Sequence, residues 1–285
     1  MKCDCHVHMV LSGSDWREAV ARHRERPEDA WIRETLQTYA AAGFTYLRDG
    51  GDRWGVCLRA KTLAPEYGIT YASPGAPICK AGHYGSFIGL SYGSMGEFRQ
   101  LVTQMRDQGA DFIKIMISGL MDFSRFGVLT QPGLAAEEIR ELVRIAHGEG
   151  LAVMAHANGA RTVEAAALAG VDSVEHGAYL DAAALQAIAE SGTIWVPTLS
   201  AVGNLLGKGR FPDEEVQKIL TSAMENIRRF AGMGGNLAPG SDAGAWAVSH
   251  GGMQEYLLMQ QALGEETDAI LEQGGALVRS RFQIR

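Results

Sequence analysis

A chain of 285 residues, 46% of them hydrophobic, is long enough to bury one sizeable core and needs no second domain, so a single domain over 1–285 is expected. A net charge of -7 and a pI near 5.6 argue against a nucleic-acid-binding surface, no apolar run reaches membrane-spanning length, and no basic segment followed by an apolar one opens the chain. The expectation is a cytoplasmic protein acting on a small molecule, with no nucleic acid and no membrane as partner. Cys3, Cys5, Cys57 and Cys79 are too few and too unpatterned for a disulfide framework, which fits a reducing compartment.

The first stretch with chemistry is Cys3-Asp4-Cys5-His6-Val7-His8. Strand alternation puts His6 and His8 on one face, half of a metal site, and points Cys3 and Cys5 away from it as buried apolar packing. A cadence then repeats: an amphipathic run, a glycine, a short β-branched or apolar run, then polar residues and glycine. Helix over 27–42 is followed by strand 44–49, and helix over 54–64 by strand 69–73. A long loop then carries His83 and Tyr84. Helix 95–108 precedes strand 111–117, which reads as fully buried, and another long loop covers 118–133. Helix 135–149 leads to strand 151–156 and helix 160–169 to strand 171–176, both strands ending in histidine. Asp181 caps a helix to Ser191, strand 193–197 follows, and a glycine-rich loop with Lys208 and Arg210 precedes helix 213–233. Strand 236–242 and a closing helix over 252–263 complete the pattern.

Eight strand segments alternating with helices imply parallel strands and right-handed crossovers, and an α/β fold of the closed (β/α)8 TIM barrel type satisfies both. Active sites in that fold lie at the C-terminal ends of the strands. The residues there are His6, His8, Lys114, His156, His176 and Asp242, a set suited to two divalent metals: His6, His8 and Asp242 around one, His156 and His176 around the other. Lys114 sits in a strand of Phe, Ile and Met. Burial of its ammonium lowers the pKa, and the neutral amine can take up carbon dioxide as a carbamate, an anion with two oxygens shaped to bridge two metals.

Asp4-Cys5-His6-Val7-His8, Ile113-Lys114-Ile115-Met116-Ile117-Ser118-Gly119, Met154-Ala155-His156-Ala157, Ser173-Val174-Glu175-His176-Gly177 and Gly240-Ser241-Asp242-Ala243-Gly244 together resemble the metal-site motifs of the amidohydrolase superfamily. The nearest likeness is to its imidazolonepropionase-like and Xaa-Pro dipeptidase (prolidase-like) branch. The resemblance implies two divalent ions, zinc or manganese, a carboxylated Lys114, and a hydroxide bridging the ions that attacks an amide bond in a dipeptide, an N-acyl amino acid or a cyclic amide. Asp242 would ligate one metal and act as general base, and His83 resembles the substrate-binding histidine after the third strand. Tyr84, Arg125 and Arg210 are further candidates for substrate contact, the arginines for a carboxylate.

Members of that branch carry a segment ahead of the HxH strand that pairs with a tail to form a small β-sandwich. Most of that domain is expected to be missing, leaving a barrel edge to be covered by charge or by another subunit, so a homo-oligomer is expected. Glu175 is placed on the other face of its strand from His176, Asp49 in a turn, and His23, His147 and His250 as hydrogen-bonded core residues. The same metal centre also suits phosphotriesters and lactones. Lys114 alone would suit a Schiff-base aldolase, and a binding protein with a relict metal site is the non-enzymatic alternative.

Overall fold

Short β-branched and apolar runs set between amphipathic ones produce nine strands and eleven helices in the computed structural model, which describes residues 2–282. The strands are β1 (Lys2–Val7), β2 (Phe44–Asp49), β3 (Thr70–Ala72), β4 (Ile78–Lys80), β5 (Leu90–Tyr92), β6 (Phe112–Met116), β7 (Ala152–Ala157), β8 (Ser173–His176) and β9 (Ile194–Val196). The helices are α1 (Trp16–Ala21), α2 (Asp29–Ala41), α3 (Val56–Leu63), α4 (Met95–Asp107), α5 (Ala136–Gly148), α6 (Ala160–Ala169), α7 (Ala182–Ser191), α8 (Ser200–Gly203), α9 (Asp213–Gly232), α10 (Gln254–Leu263) and α11 (Thr267–Arg281). Helix starts follow capping chemistry: Asp181 accepts from the Ala184 amide at 2.9 Å, and Ser94 from that of Glu97 at 3.3 Å. On α5 the buried residues Ile139, Leu142, Val143 and Ala146 recur at helical spacing and press one face onto the strands.

All strand pairings are parallel, in two runs, β1-β2-β3 and β5-β4-β6-β7-β8-β9. Backbone hydrogen bonds carry the ring past both gaps. The Asp111 amide donates to the Ser73 carbonyl at 2.8 Å, joining the end of β3 to the start of β6. On the other side the stretch 236–243 lies between β9 and β1. Ala238 donates to Trp195, Cys5 to Pro239, and Asp242 to His6, at 3.0, 2.8 and 2.8 Å. The expected eighth strand is therefore in place, held by scattered bonds and not by a regular ladder, because Pro239 has no amide to donate. No helix among the described residues is long and apolar enough to cross a membrane.

Four expectations need correcting. The loop expected after β3 contains β4 and β5, two three-residue strands too short to show a period. Cys3 and Cys5 do not point away from the barrel interior: they pack inside it with Tyr46, Phe112, Met154 and Val196. The cause is a register shift in β1, where the step from Asp4 to Val7 pairs with the shorter step from Leu47 to Asp49, so the extra residue lets Cys5 and His6 both face inward. His147 is exposed on α5 and meets Asp172 at 2.9 Å, while His250 is a half-buried partner of Tyr39 and of the Leu11 carbonyl. Finally, α11 seals the N-terminal end of the barrel, with Val278 and Phe282 in the interior cluster. Gly274 permits this, since a Cβ there would lie 1.7 Å from the Leu237 carbonyl oxygen.

Candidate metal centre

Every candidate ligand except Lys114, which is the middle residue of its strand, stands at or near the point where a strand gives way to a loop. His6 and His8 flank the end of β1, Lys114 lies in β6, His156 in β7, and His176 ends β8. Two of the set have left-handed backbone, His176 at φ 68° and Asp242 at φ 60°, an arrangement that costs a non-glycine residue energy and clusters at functional sites. For His176 it has a clear effect. Glu175 is already turned inward, so strict alternation would send His176 outward; the positive φ brings it back to the barrel mouth. The expected placement of Glu175 on the opposite face is thus replaced by two successive inward residues.

The ligand atoms of His6, His8 and Asp242 all lie within 4.8 Å of one another. Asp242 Oδ1 is 3.5 Å from His6 Nε2 and 3.3 Å from His8 Nε2. The other two imidazoles sit beside this trio: the His176 ring centroid is 5.1 Å from that of His6 and 4.6 Å from that of His156. Burial, with Lys114 and the neighbouring histidines adding, holds His6 and His176 well below the usual histidine range and His156 at about 3. Neutral imidazole is the form that ligates. Gly50 makes room for His8, since a Cβ at that position would meet the His8 ring at 2.3 Å.

Lys114 is 1% exposed, and its Nζ has no hydrogen-bond partner among the described residues, nor has Nδ1 of His8. Burial lowers the Lys114 pKa to about 8. A buried amine without a partner is costly, and such orphans call for a missing group. Imidazole and carboxylate donors with an orphan amine among them fit hard-to-borderline divalent cations.

Beneath the ligands lies a buried polar floor. Glu175 and Arg48 are both fully buried. Glu175 Oε2 accepts from His6 Nδ1 at 2.7 Å, which fixes the tautomer that leaves Nε2 free to ligate. Arg48 donates to Glu175 Oε1 at 2.8 Å, to Ser173 Oγ at 2.8 Å and to the Cys5 carbonyl at 2.7 Å. Its guanidinium stacks 4.4 Å from the Phe282 ring centroid. Two further imidazoles are also fastened: His176 Nδ1 to Thr198 Oγ1 at 2.7 Å, and His156 Nε2 to the Gly119 carbonyl at 3.2 Å. Arg48 was discoverable in the sequence: alternation in Tyr46-Leu47-Arg48 places it on the interior face with Tyr46, and an interior arginine demands a buried acid.

The ligands open onto one cavity of about 530 Å³, lined by all six of them and by Tyr84. Neither His83 nor Arg125 lines it. The His83 amide closes a turn onto the Lys80 carbonyl at 2.9 Å, and the next residue, Tyr84, enters the cavity with its ring 4.9 Å from that of His156. Arg125 is on the surface, paired with Asp122 at 2.9 Å. Asp49 takes the turn role expected of it, accepting from the Gly51 amide at 2.6 Å.

Comparison with known proteins agrees with this architecture. The chain is 25% identical over 298 aligned residues to the ochratoxinase of Aspergillus niger, an alignment that covers 88% of this chain and 60% of the relative. It thus spans about 60% of the length of the curated relatives it matches. Among solved structures it superposes on a Xaa-Pro dipeptidase with bound methionine in the active site, at a TM-score of 0.79 and 24% identity, covering 99% of this chain and 77% of that one. It superposes on A. niger ochratoxinase at a TM-score of 0.74 and 22% identity, covering 98% and 69%. These likenesses show the barrel fold. The amidohydrolase family profile matches residues 3–253, nearly the whole ring of strands and every candidate ligand, and the chain belongs to that family.

Proposed function

We propose that the protein hydrolyses an amide bond in a small-molecule substrate with two divalent cations, zinc or manganese. The observation that carries the reading is the convergence of four imidazoles, Asp242 and the partnerless amine of Lys114 on one cavity. His6, His8 and Asp242 would hold one cation, and His156 and His176 the other. Lys114, once its neutral amine has added to carbon dioxide with loss of a proton to solvent, would supply carbamate oxygens as a further anionic donor. Such cations, when bound, polarise a carbonyl and lower the pKa of water.

The chain's own groups do the rest. Glu175 holds the His6 tautomer. The Asp242 carboxylate, facing the cavity beside His6 and His8, takes a proton from the attacking water and passes it to the departing nitrogen, which must leave as a neutral amine. Tyr84, whose phenol burial keeps protonated, presents a hydroxyl as hydrogen-bond donor to the substrate. The ochratoxinase and Xaa-Pro dipeptidase names of the similar proteins support an amide as the bond cleaved.

The test is elemental analysis of protein grown with added zinc or manganese and bicarbonate, beside a Lys114→Ala variant. Near two metals per chain in the parent, with clear loss in the variant, is the expected result. Absence of bound metal under every condition overturns the reading.

A further inference from the structure

Thr198 stands between β9 and α8 with its backbone in the left-handed region, at φ 51°. A β-branched residue rarely adopts that conformation, and its surroundings must hold it there. What the strain achieves is one contact: Thr198 Oγ1 lies 2.7 Å from His176 Nδ1. His176 is itself left-handed, so two strained residues at the ends of neighbouring strands meet through a single hydrogen bond.

The holding group comes from α10. Glu255 is 2% exposed, and its carboxylate accepts from the Leu199 amide at 3.1 Å, the Ser200 amide at 2.7 Å and the Ser200 hydroxyl at 2.9 Å. No lysine, arginine or histidine pairs with it among the described residues. A buried carboxylate without a cation is expensive unless its donors are well placed, and here every donor belongs to the two residues that follow Thr198. α10 can come this close because Gly203 has no side chain: a Cβ there would lie 2.8 Å from Leu258 Cδ1. Glu255 neither lines the cavity nor bonds to any candidate ligand.

We propose that Glu255 is a positioning residue for His176. By pinning the amides of Leu199 and Ser200 it keeps Thr198 in its left-handed form. The Thr198 hydroxyl then accepts from His176 Nδ1–H, which leaves Nε2 as the atom free to ligate. This rests on the metal-binding reading of the cavity and adds to it a residue, outside the cavity, that sets the aim of one imidazole.

The test reads the imidazole before any metal or substrate is added. Heteronuclear NMR of metal-free protein carrying isotope-labelled histidine gives the tautomer of each ring, the His176 signals being those lost in His176→Gln. The parent is expected to hold His176 protonated on Nδ1. Glu255→Leu and Thr198→Val should each leave a mixture of tautomers. Thr198→Ser, which keeps the hydroxyl, and Glu255→Gln, which keeps one acceptor oxygen, should return most of the Nδ1-protonated form. Leu142→Ala, a core truncation on α5, should lower the urea midpoint as Glu255→Leu does and leave the tautomer alone, which separates aiming from loss of stability. Zinc affinity is then measured on the same proteins by chelator competition. Thr198→Val and Glu255→Leu should each bind about ten- to a hundredfold more weakly, and the double variant within about twofold of Thr198→Val, because both changes act through one hydroxyl. His176 protonated on Nε2 in the parent overturns the assignment, as does a tautomer that Glu255→Leu leaves unchanged, or additive losses of zinc affinity in the double variant. A His176 tautomer that depends on Glu255 in a parent that binds no zinc would uphold the positioning and refute the metal reading; zinc bound with a tautomer indifferent to Glu255 would do the reverse.

Discussion

Arg48 and Glu175 form a buried ion pair directly under His6, a candidate metal ligand, and separating what that pair does for stability from what it does for the site is the most informative perturbation. Removing either partner alone leaves a full charge buried and uncompensated, which costs about 3–5 kcal/mol. Arg48→Met should therefore destabilise the metal-free protein by that amount, and Glu175→Leu by a similar amount. The double variant removes both charges and fills the space with apolar atoms. What it leaves unpaired is the Cys5 carbonyl, which accepted from Arg48 at 2.7 Å, and the Ser173 hydroxyl, so its cost should be about 2–3 kcal/mol, well below the sum of the single changes. Metal affinity should behave otherwise. Loss of the acceptor for His6 Nδ1 weakens binding by about ten- to a hundredfold, and the double variant cannot recover it because the acceptor is still gone. Urea unfolding of the metal-free proteins and competition with a chelator for zinc measure the two quantities. Additive stabilities, or parental zinc affinity in the double variant, would refute the reasoning.

Further outcomes follow from other residues. Lys114→Met should stabilise the metal-free chain by about 1–3 kcal/mol while abolishing metal binding, because it removes a buried amine without a partner; urea midpoints decide, and a destabilised variant would show that the amine is satisfied. Phe282→Ala should cost about 3–5 kcal/mol by opening a cavity beside Arg48 and Phe112, read as a fall in the thermal midpoint. His23 is 1% exposed and burial lowers its pKa to about 4, below the unfolded value, so the unfolded chain binds more protons between those two pH values and stability falls as pH drops through them. The parent should lose about 2–3 kcal/mol between pH 6.5 and 4 relative to His23→Gln, which keeps an acceptor but cannot charge; parallel unfolding curves at both pH values would count against it.

The candidate ligands were legible because each is a polar residue within or at the end of an apolar strand, where chain order alone says which end of the barrel the strand end occupies. What the sequence could not convey was every departure from regular alternation. The extra residue in β1 turns Cys5 inward beside His6, and the left-handed backbone of His176 lets Glu175 and His176 share a side. Neither leaves a mark in a hydrophobic pattern. β4 and β5 are three residues each, below the length at which a period exists, and they place Tyr84 and not His83 in the cavity. Which of Arg125 and Arg210 reaches the cavity depended on Asp122, three positions from Arg125, and on Trp246, far from Arg210 in the chain. The first of these could have been read from local spacing, the second only from the closed ring.

The closure of that ring has a consequence for synthesis. β1 leaves the ribosome before the other strands of the barrel, yet one of its flanks is completed only by the stretch 236–243, where the Ser241 amide meets Asp4 across 237 positions. Until then β1 presents an open edge and His6 and His8 lack Asp242, the third member of their cluster. Contacts of such long sequence separation form late and slowly. On the proposed metal reading, zinc added during refolding should therefore act on the last step of assembly, slowing unfolding without hastening collapse.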